Sequence, residues 1–424
     1  MRKTFTTYNL GCKVNAYELS AISSLLLAKG FEEDANNPDV VIINTCSVTA
    51  TADQKSRQHI RKMQKLFPNA IIAVMGCYSQ GNYEFIKDEI KPTILLGTSH
   101  RKDVVELIEK ALNEKDSYCK IDENTRNFEY EELGITSYSE NVRAFLKIQD
   151  GCNNFCTYCI VPYRRGKMRS RNKENVVKEA EYLVKQGYQE IVLSGIHVGG
   201  YGQDLKDCSF SSLVEELTNI PGLKSLRISS IEESEIDDKL IELIKDKDNL
   251  AKHLHIPLQA GSNHVLKLMN RKYTREQFIE KINRIKSLMP NVMISSDVIV
   301  GFPQESEEDF LDTYNLCEEC FDMLHVFPYS LRPGTVAARM DGQISPEVKK
   351  QRSKVLLELS DKLYEKFAAQ FIGQDVTVLI EKYDEEKGKN IGHTSNYISV
   401  EIPIKESRVG QFLTVKLQKD MIVS

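Results

Sequence analysis

A chain of 424 residues, 41% of them hydrophobic and 28% charged, has the length and apolar content to bury several cores, and at about 100 to 200 residues per domain it divides most simply into three. Its net charge of -5 excludes a nucleic acid held by the field of the whole molecule, so any RNA must be met by a local basic patch. No apolar run of about 18 residues occurs and no h-region follows Arg2 and Lys3, so a cytoplasmic protein without membrane contact is expected; there, ten cysteines are thiols or metal ligands rather than disulfides.

The chain begins with short apolar segments alternating with amphipathic ones. Residues 4–10, 39–44 and 70–75 read as strands, and 16–29, 52–66 and 83–90 as helices; 94–97 adds a strand and 102–112 a helix. That alternation implies a parallel sheet. Cys12, Cys46 and Cys77 each come at or within two residues of the end of one of the three long strands. In an open parallel sheet those ends share one edge, where ligand sites collect. Small buried hydrophobes are the competing reading for such thiols.

Residues 113–141 lose apolar periodicity and are rich in Glu, Asn, Ser, Thr and Tyr, which marks a boundary. A second alternating series has strands at 144–149, 190–193, 225–229, 253–257, 292–300 and 323–327. Six strands alternating with helices predict an open partial barrel. Residues 345–371 read as one long helix, with Ser345 as N-cap and Pro346 at its first position. Strand-like runs at 376–381, 397–402 and 412–417 then predict a small β module.

Just past the first strand of the second series, Cys152, Cys156 and Cys159 stand at C-x3-C-x2-C spacing with no fourth ligand nearby. A structural zinc site is normally closed by four ligands, whereas three thiolates can hold a [4Fe-4S] cluster and leave one iron open to a small molecule. Cys317 and Cys320 read as two residues of one helix face; Cys119 and Cys208 fall in loops and carry no role.

C-x3-C-x2-C with an aromatic residue, Tyr158, before the last cysteine resembles the radical S-adenosylmethionine superfamily. The resemblance extends to the methylthiotransferases within it, through Gly11-Cys12-Lys13-Val14-Asn15, Asn44-Thr45-Cys46, Gly76-Cys77, residues 255–262 and residues 269–274. It implies an α/β chain in three parts: an N-terminal methylthiotransferase domain with a parallel sheet (1–115), a radical core built as a partial (β/α)6 barrel (142–372) after a linker (116–141), and a C-terminal β-barrel TRAM domain for RNA (373–424). It further implies two [4Fe-4S] clusters, one on each cysteine triad, and S-adenosylmethionine, whose cleavage at the first cluster yields the radical while the second carries the sulfur. Lys13 and Val14 after Cys12 resemble the branch that adds a methylthio group to carbon 2 of N6-threonylcarbamoyladenosine beside the tRNA anticodon. Alternatives are an isopentenyladenosine tRNA or a ribosomal protein as substrate, or a non-catalytic iron-sulfur RNA sensor.

At the carboxyl edge of the barrel, Ser194, Gly195, Ser230, Glu232 and Gln259 are expected to join Tyr158 in holding the cofactor. His197, His253 and His255 read as ordinary core or loop residues. Arg164, Arg165, Lys167, Arg169 and Arg171 place five positive charges within nine residues and are expected to meet tRNA phosphates. Residues 374–424 hold seven Lys or Arg against eight Asp or Glu, a departure from the basic surface expected of an RNA module. The sulfur donor and the electron donor are external partners that the residues do not identify.

Overall fold

The structure is a computed structural model that describes residues 3–134 and 142–423. Strands β1 (Thr4–Asn9), β2 (Glu32–Glu33), β3 (Val40–Thr45), β4 (Ile71–Gly76), β5 (Ile94–Leu96) and β6 (Tyr118–Lys120) form one parallel sheet in the order β2-β1-β3-β4-β5-β6. The middle strands β3 and β4 are buried along their whole length, as a parallel sheet covered on both faces requires. Phe5, Ile22, Leu26 and Ile42 pack on one face, and Val41, Ile43, Ile60 and Tyr78 on the other.

Part of the stretch read as a linker belongs to this sheet. Backbone pairing with β5 recruits Tyr118–Lys120 as an edge strand; its half-exposed pattern supplies no apolar signal. Residues 121–134 then strap the first domain to the second: the Tyr130 hydroxyl donates to Lys147 O at 2.9 Å and Arg101 Nε donates to Glu131 at 2.8 Å. Residues 135–141 of the expected linker lie outside the described residues.

The second domain contains β7 (Arg143–Lys147), β8 (Gln149–Asp150), β9 (Arg169–Ser170), β10 (Glu190–Ser194), β11 (Ser225–Ile228), β12 (His253–His255), β13 (Met293–Val300) and β14 (Met323–Pro328). Two parallel sheets, β11-β10-β7 and β12-β13-β14, join through parallel bridges Leu226 to Leu250 and Ser230 to His255. The result is the expected open six-stranded barrel, filled by the largest apolar core of the molecule. Strands β8 and β9 pair antiparallel and bracket the cysteine loop.

Helix Pro346–Ala369 is capped by Ser345, whose side chain accepts from Val348 N. Its Tyr364, Phe367 and Ala368 pack on the last module. There β15 (Asp375–Asp384), β16 (Lys389–Thr394), β17 (Ser399–Ile402) and β18 (Phe412–Lys416) make an antiparallel sheet in the order β17-β16-β15-β18. The chain then returns to lay Ile422 against Val400 of the far edge, rolling the sheet toward closure. No helix among the described residues is long and apolar enough to cross a membrane.

Candidate active site

Cys12 follows β1, Cys46 follows β3, and Cys77 opens the helix after β4. Because β1, β3 and β4 are adjacent and parallel, the three thiols share one sheet edge. Gly76 has φ +108, and a Cβ there would stand 2.3 Å from Asn44 Oδ1 and 2.5 Å from Thr45 O; only glycine brings Cys77 this close to the Cys46 loop. Thr45 Oγ1 donates to Met75 O at 2.7 Å and accepts from Ser79 N at 3.3 Å, tying the two loops together. Burial, reinforced by the neighbouring Cys12 and Cys46 and opposed by Arg165, pushes the Cys77 thiol up to about 11.

The first triad lies on a loop braced from both sides. Gly151 has φ +71, and a Cβ would meet Lys167 O at 2.0 Å. Gln149 Nε2 donates to Gly151 O at 2.6 Å, and its Oε1 accepts from Ile196 N and His197 N at 3.0 and 2.8 Å. The 269–274 motif supports the other flank: Thr157 N donates to Met269 O at 3.1 Å and Asn270 Nδ2 to Phe155 O at 3.1 Å. Burial, with Cys156 and Cys152 adding repulsion, pushes the Cys159 thiol up to about 12.

These features test the donor sets against iron-sulfur clusters. Cys77 and Cys159, the most buried thiol of each triad, are pushed up by burial and by their neighbouring cysteines, so thiolates at both places need a cationic partner. Among the described residues no three ligating side chains are gathered around one metal-ion position; a cubane cluster takes each sulfur on a separate iron. Cys12, Cys46 and Cys77 could hold one such cluster and Cys152, Cys156 and Cys159 another. Cys317 and Cys320 are fully buried in the barrel core, and Cys208 packs against that core.

Each triad also receives one buried arginine. Arg271 Nη1 lies 3.6 Å from Cys156 Sγ, and its other nitrogen pairs with Glu232. Arg165 Nε donates to Cys77 Sγ at 3.2 Å. The first contact stays within the barrel, and the second crosses between domains.

Two clefts open beside the cysteine loop. A small polar one is lined by Asn154, Cys156, His197, Glu232, Glu235, Arg271 and Tyr273. His197 stands 2.6 Å from Glu235; desolvation lowers its pKa, but Cys152 and Glu235 outweigh it and raise it to about 10. The core or loop reading of His197 left out that it lines this cleft, which only the fold, by putting 197 beside 152, reveals. The second cleft, about 260 Å3 and mostly apolar, is lined by Val48, Thr49, Tyr158, Cys159, Gln259, Asp297, Ile299, Phe327 and Arg332. It touches both cysteine loops.

Of the expected cofactor contacts, Tyr158 and Gln259 fall on the larger cleft and Glu232 on the smaller. Gly195 packs against Gln149 Oε1, 3.0 Å from where its Cβ would be. Ser194 is buried with its hydroxyl unpartnered among the described residues, and Ser230 is exposed at the bridge to His255.

Three of the five charges in the basic run are taken out of the phosphate surface expected of it. Arg165, Arg169 and Arg171 are buried. Arg165 pairs with Glu18 and Asp150 at 2.9 and 3.1 Å, Arg169 with Asp150 at 3.2 Å, and Arg171 with Glu179 and with Glu132 at 2.9 Å. Buried guanidinium groups need such partners, and two of them, Glu18 and Glu132, lie 147 and 39 residues from the arginines they pair with, out of sight of the run itself. Arg164 is half-buried and Lys167 is exposed.

Residues 146–317 match the radical SAM superfamily, residues 4–97 the uncharacterized protein family UPF0004, and residues 369–421 the TRAM domain. The chain is 44% identical to the threonylcarbamoyladenosine tRNA methylthiotransferase MtaB of Bacillus subtilis, over 98% of this chain and 94% of that protein. It is 39% identical to the tRNA-2-methylthio-N(6)-dimethylallyladenosine synthase of Thermoanaerobacter pseudethanolicus, over 96% and 88%. Among solved structures, the radical S-adenosylmethionine methyltransferase TsrM of Kitasatospora setae aligns over 80% of this chain and 77% of its own, with a TM-score of 0.58 at 15% identity, a likeness of fold.

Proposed function

The chain belongs to the radical SAM tRNA methylthiotransferase family, and we propose that it adds a methylthio group to carbon 2 of N6-threonylcarbamoyladenosine in tRNA. The observation that carries this reading is the cleft lined at once by Val48 and Thr49, beyond Cys46, and by Tyr158 and Cys159 of the other loop. A base seated there would meet both chemistries without leaving the protein.

When bound, the cluster on Cys152, Cys156 and Cys159 with S-adenosylmethionine supplies the radical, and the cluster on Cys12, Cys46 and Cys77 the sulfur. The residues of the chain do the rest. Gln149, Thr157 and Asn270 fix the first loop, while Thr45 and Gly76 fix the second pair of strand ends. Ile299, Phe327 and Tyr329 give the cleft apolar walls that limit water around a reactive carbon. Glu232, Arg271 and Asn154 make the smaller cleft the place for the charged amino-acid end of the cofactor.

An external one-electron donor and a sulfur donor complete the reaction, and a reducing cytoplasm is its setting. The threonylcarbamoyl substrate follows the Bacillus relative and the residues after Cys12; the Thermoanaerobacter relative keeps the dimethylallyl substrate as the alternative outcome. Mass spectrometry of tRNA nucleosides from a strain lacking the gene tests the choice. Loss of methylthio-threonylcarbamoyladenosine is the expected result; its persistence, with loss of the dimethylallyl product instead, overturns it.

A further inference from the structure

Arg165 ends in a buried charge cluster that joins two domains. Its side chain is 0% exposed. Nη1 donates to Glu18 at 2.9 Å and to Asp150 at 3.1 Å, Nη2 to Asn15 Oδ1 at 3.3 Å, and Nε to Cys77 Sγ at 3.2 Å. Asn15 Oδ1 also accepts from Cys12 Sγ at 3.2 Å. One guanidinium of the radical core thus contacts one cysteine of the N-terminal triad directly and a second through one amide.

The charge balance points the same way. Arg101, Lys147, Arg165 and Arg169 are all buried, and the carboxylates they pair with are Glu18, Asp150 and Glu131. Four cations share these three carboxylates, and of the four it is Arg165 whose Nε reaches Cys77. An excess buried cation is costly unless an anion neutralises it. A Cys77 sulfur ligated to a cluster would be that anion, and Arg165 directs its Nε at sulfur although two carboxylates are in reach.

We propose that Arg165 is a positioning residue for the second cluster: from the radical domain it donates a charged hydrogen bond to Cys77, holding the N-terminal triad in register and raising the reduction potential of the metal group bound there. The inference rests on the reading that Cys12, Cys46 and Cys77 hold a [4Fe-4S] cluster. Hydrogen bonds to the sulfurs and local charge are established controls of cluster potential. A positive donor stabilises the reduced, more negative state, so losing it makes reduction harder. The domain that makes the radical would then also set the electronic state of the site that supplies sulfur, but only when the two domains are docked.

The test uses the full chain with Cys152, Cys156 and Cys159 all replaced by Ala, so that only the second site is loaded. Iron content and the midpoint potential, followed by electron paramagnetic resonance during redox titration, are compared with Arg165→Met and Arg165→Lys added. With Met, iron is expected to stay bound while the reduced-to-oxidised ratio at a fixed potential falls about tenfold, about 59 mV for a one-electron couple. Lys keeps a charge for Glu18 and Asp150 but cannot also present a directed N–H to sulfur, so a smaller shift of the same sign is expected. If the Met variant loses iron or unfolds, the Lys variant decides. An unchanged potential in the loaded Lys variant, or in a loaded Met variant, overturns the proposal. Absence of iron with Arg165 intact would instead overturn the second-cluster reading itself.

Discussion

The two cysteine triads solve one problem by opposite means. Cys152, Cys156 and Cys159 share a single loop, and its braces, Gln149, Met269, Asn270 and Arg271, all come from the same barrel. Cys12, Cys46 and Cys77 come from three strand ends and are assembled only when the sheet forms. Their arginine arrives from the neighbouring domain. The barrel triad is therefore local and self-sufficient, whereas the sheet triad depends on tertiary and interdomain contacts. On the proposed roles, the site that starts the chemistry can be autonomous, and the one that would deliver sulfur to it gains from being built out of the interface itself.

The largest effect separates the two by function. Replacing Cys152, Cys156 and Cys159 with Ala should abolish formation of 5'-deoxyadenosine and of the methylthio product together, with loss of about half of about eight irons per chain. Replacing Cys12, Cys46 and Cys77 should remove the other half and the methylthio product but keep cofactor cleavage. Iron analysis and chromatography of the nucleoside products measure both. Loss of cleavage in the second variant would show that the triads are not independent.

The next effect tests the interface. Glu18 is fully buried, pairs with Arg101, Arg165 and Lys147, and accepts from Asn44 at 3.1 Å. Glu18→Gln leaves those cations short of a partner and should cost about 3 to 5 kcal/mol, read by denaturant unfolding. The sign of the pH dependence follows from the same contacts. Burial alone would raise the Glu18 and Asp150 pKa values, but the surrounding Arg and Lys outweigh it and hold both well below the carboxylate range. Their stabilisation is therefore complete above an unfolded value of about 4 and is lost progressively as pH falls below it. The wild type should lose stability more steeply than Glu18→Gln between about pH 4 and pH 2, as thermal melts across that range would report.

How much of this was legible in the chain follows the same division. The barrel triad is written in eight consecutive residues, so spacing alone exposes it. The sheet triad became visible only by assuming that strand ends share an edge, and the assumption held because β1, β3 and β4 are adjacent and parallel. For the three buried arginines of the basic run, charge counted locally was not enough: one partner of Arg165 is Glu18, 147 residues away. Strand β16 was missed for a related reason. Its inward residues are Asn390, Gly392 and Thr394, which carry no apolar alternation. Gly392 passes so close to Leu379 that a Cβ would lie 2.0 Å from its carbonyl, and Asn390 holds the carbonyls of Ile404 and Glu406 at 2.9 and 3.0 Å.

A smaller effect compares the glycines that precede a cysteine in each triad. Gly76→Ala and Gly151→Ala each force a side chain into φ above +70, against backbone or side-chain oxygen within 2.3 Å. Each should cost about 1 to 3 kcal/mol. Because Gly151 touches only its own loop and Gly76 touches the strand ends on either side, the first should impair cofactor cleavage alone, and the second the sulfur-bearing site alone. Circular dichroism melts alongside 5'-deoxyadenosine assays distinguish them.

The smallest effect isolates a single hydroxyl. Thr45 Oγ1 bridges the end of β3 to the Cys77 helix, donating to Met75 O and accepting from Ser79 N, and it is fully buried. Thr45→Val keeps the shape and β-branching but removes both hydrogen bonds, so the cost should be about 1 to 3 kcal/mol, at the lower end where Ser79 shifts to another acceptor. In the barrel triad the equivalent brace is shared among Gln149, Thr157 and Asn270, and removing one hydroxyl there, with Thr157→Val, leaves two others. Thr45→Val should therefore reduce iron retained by the N-terminal triad during chelator challenge more than Thr157→Val reduces iron retained by the barrel triad. Equal losses would mean that the strand-end site is braced as redundantly as the loop, and the contrast between an assembled and a self-contained site would fail at this level.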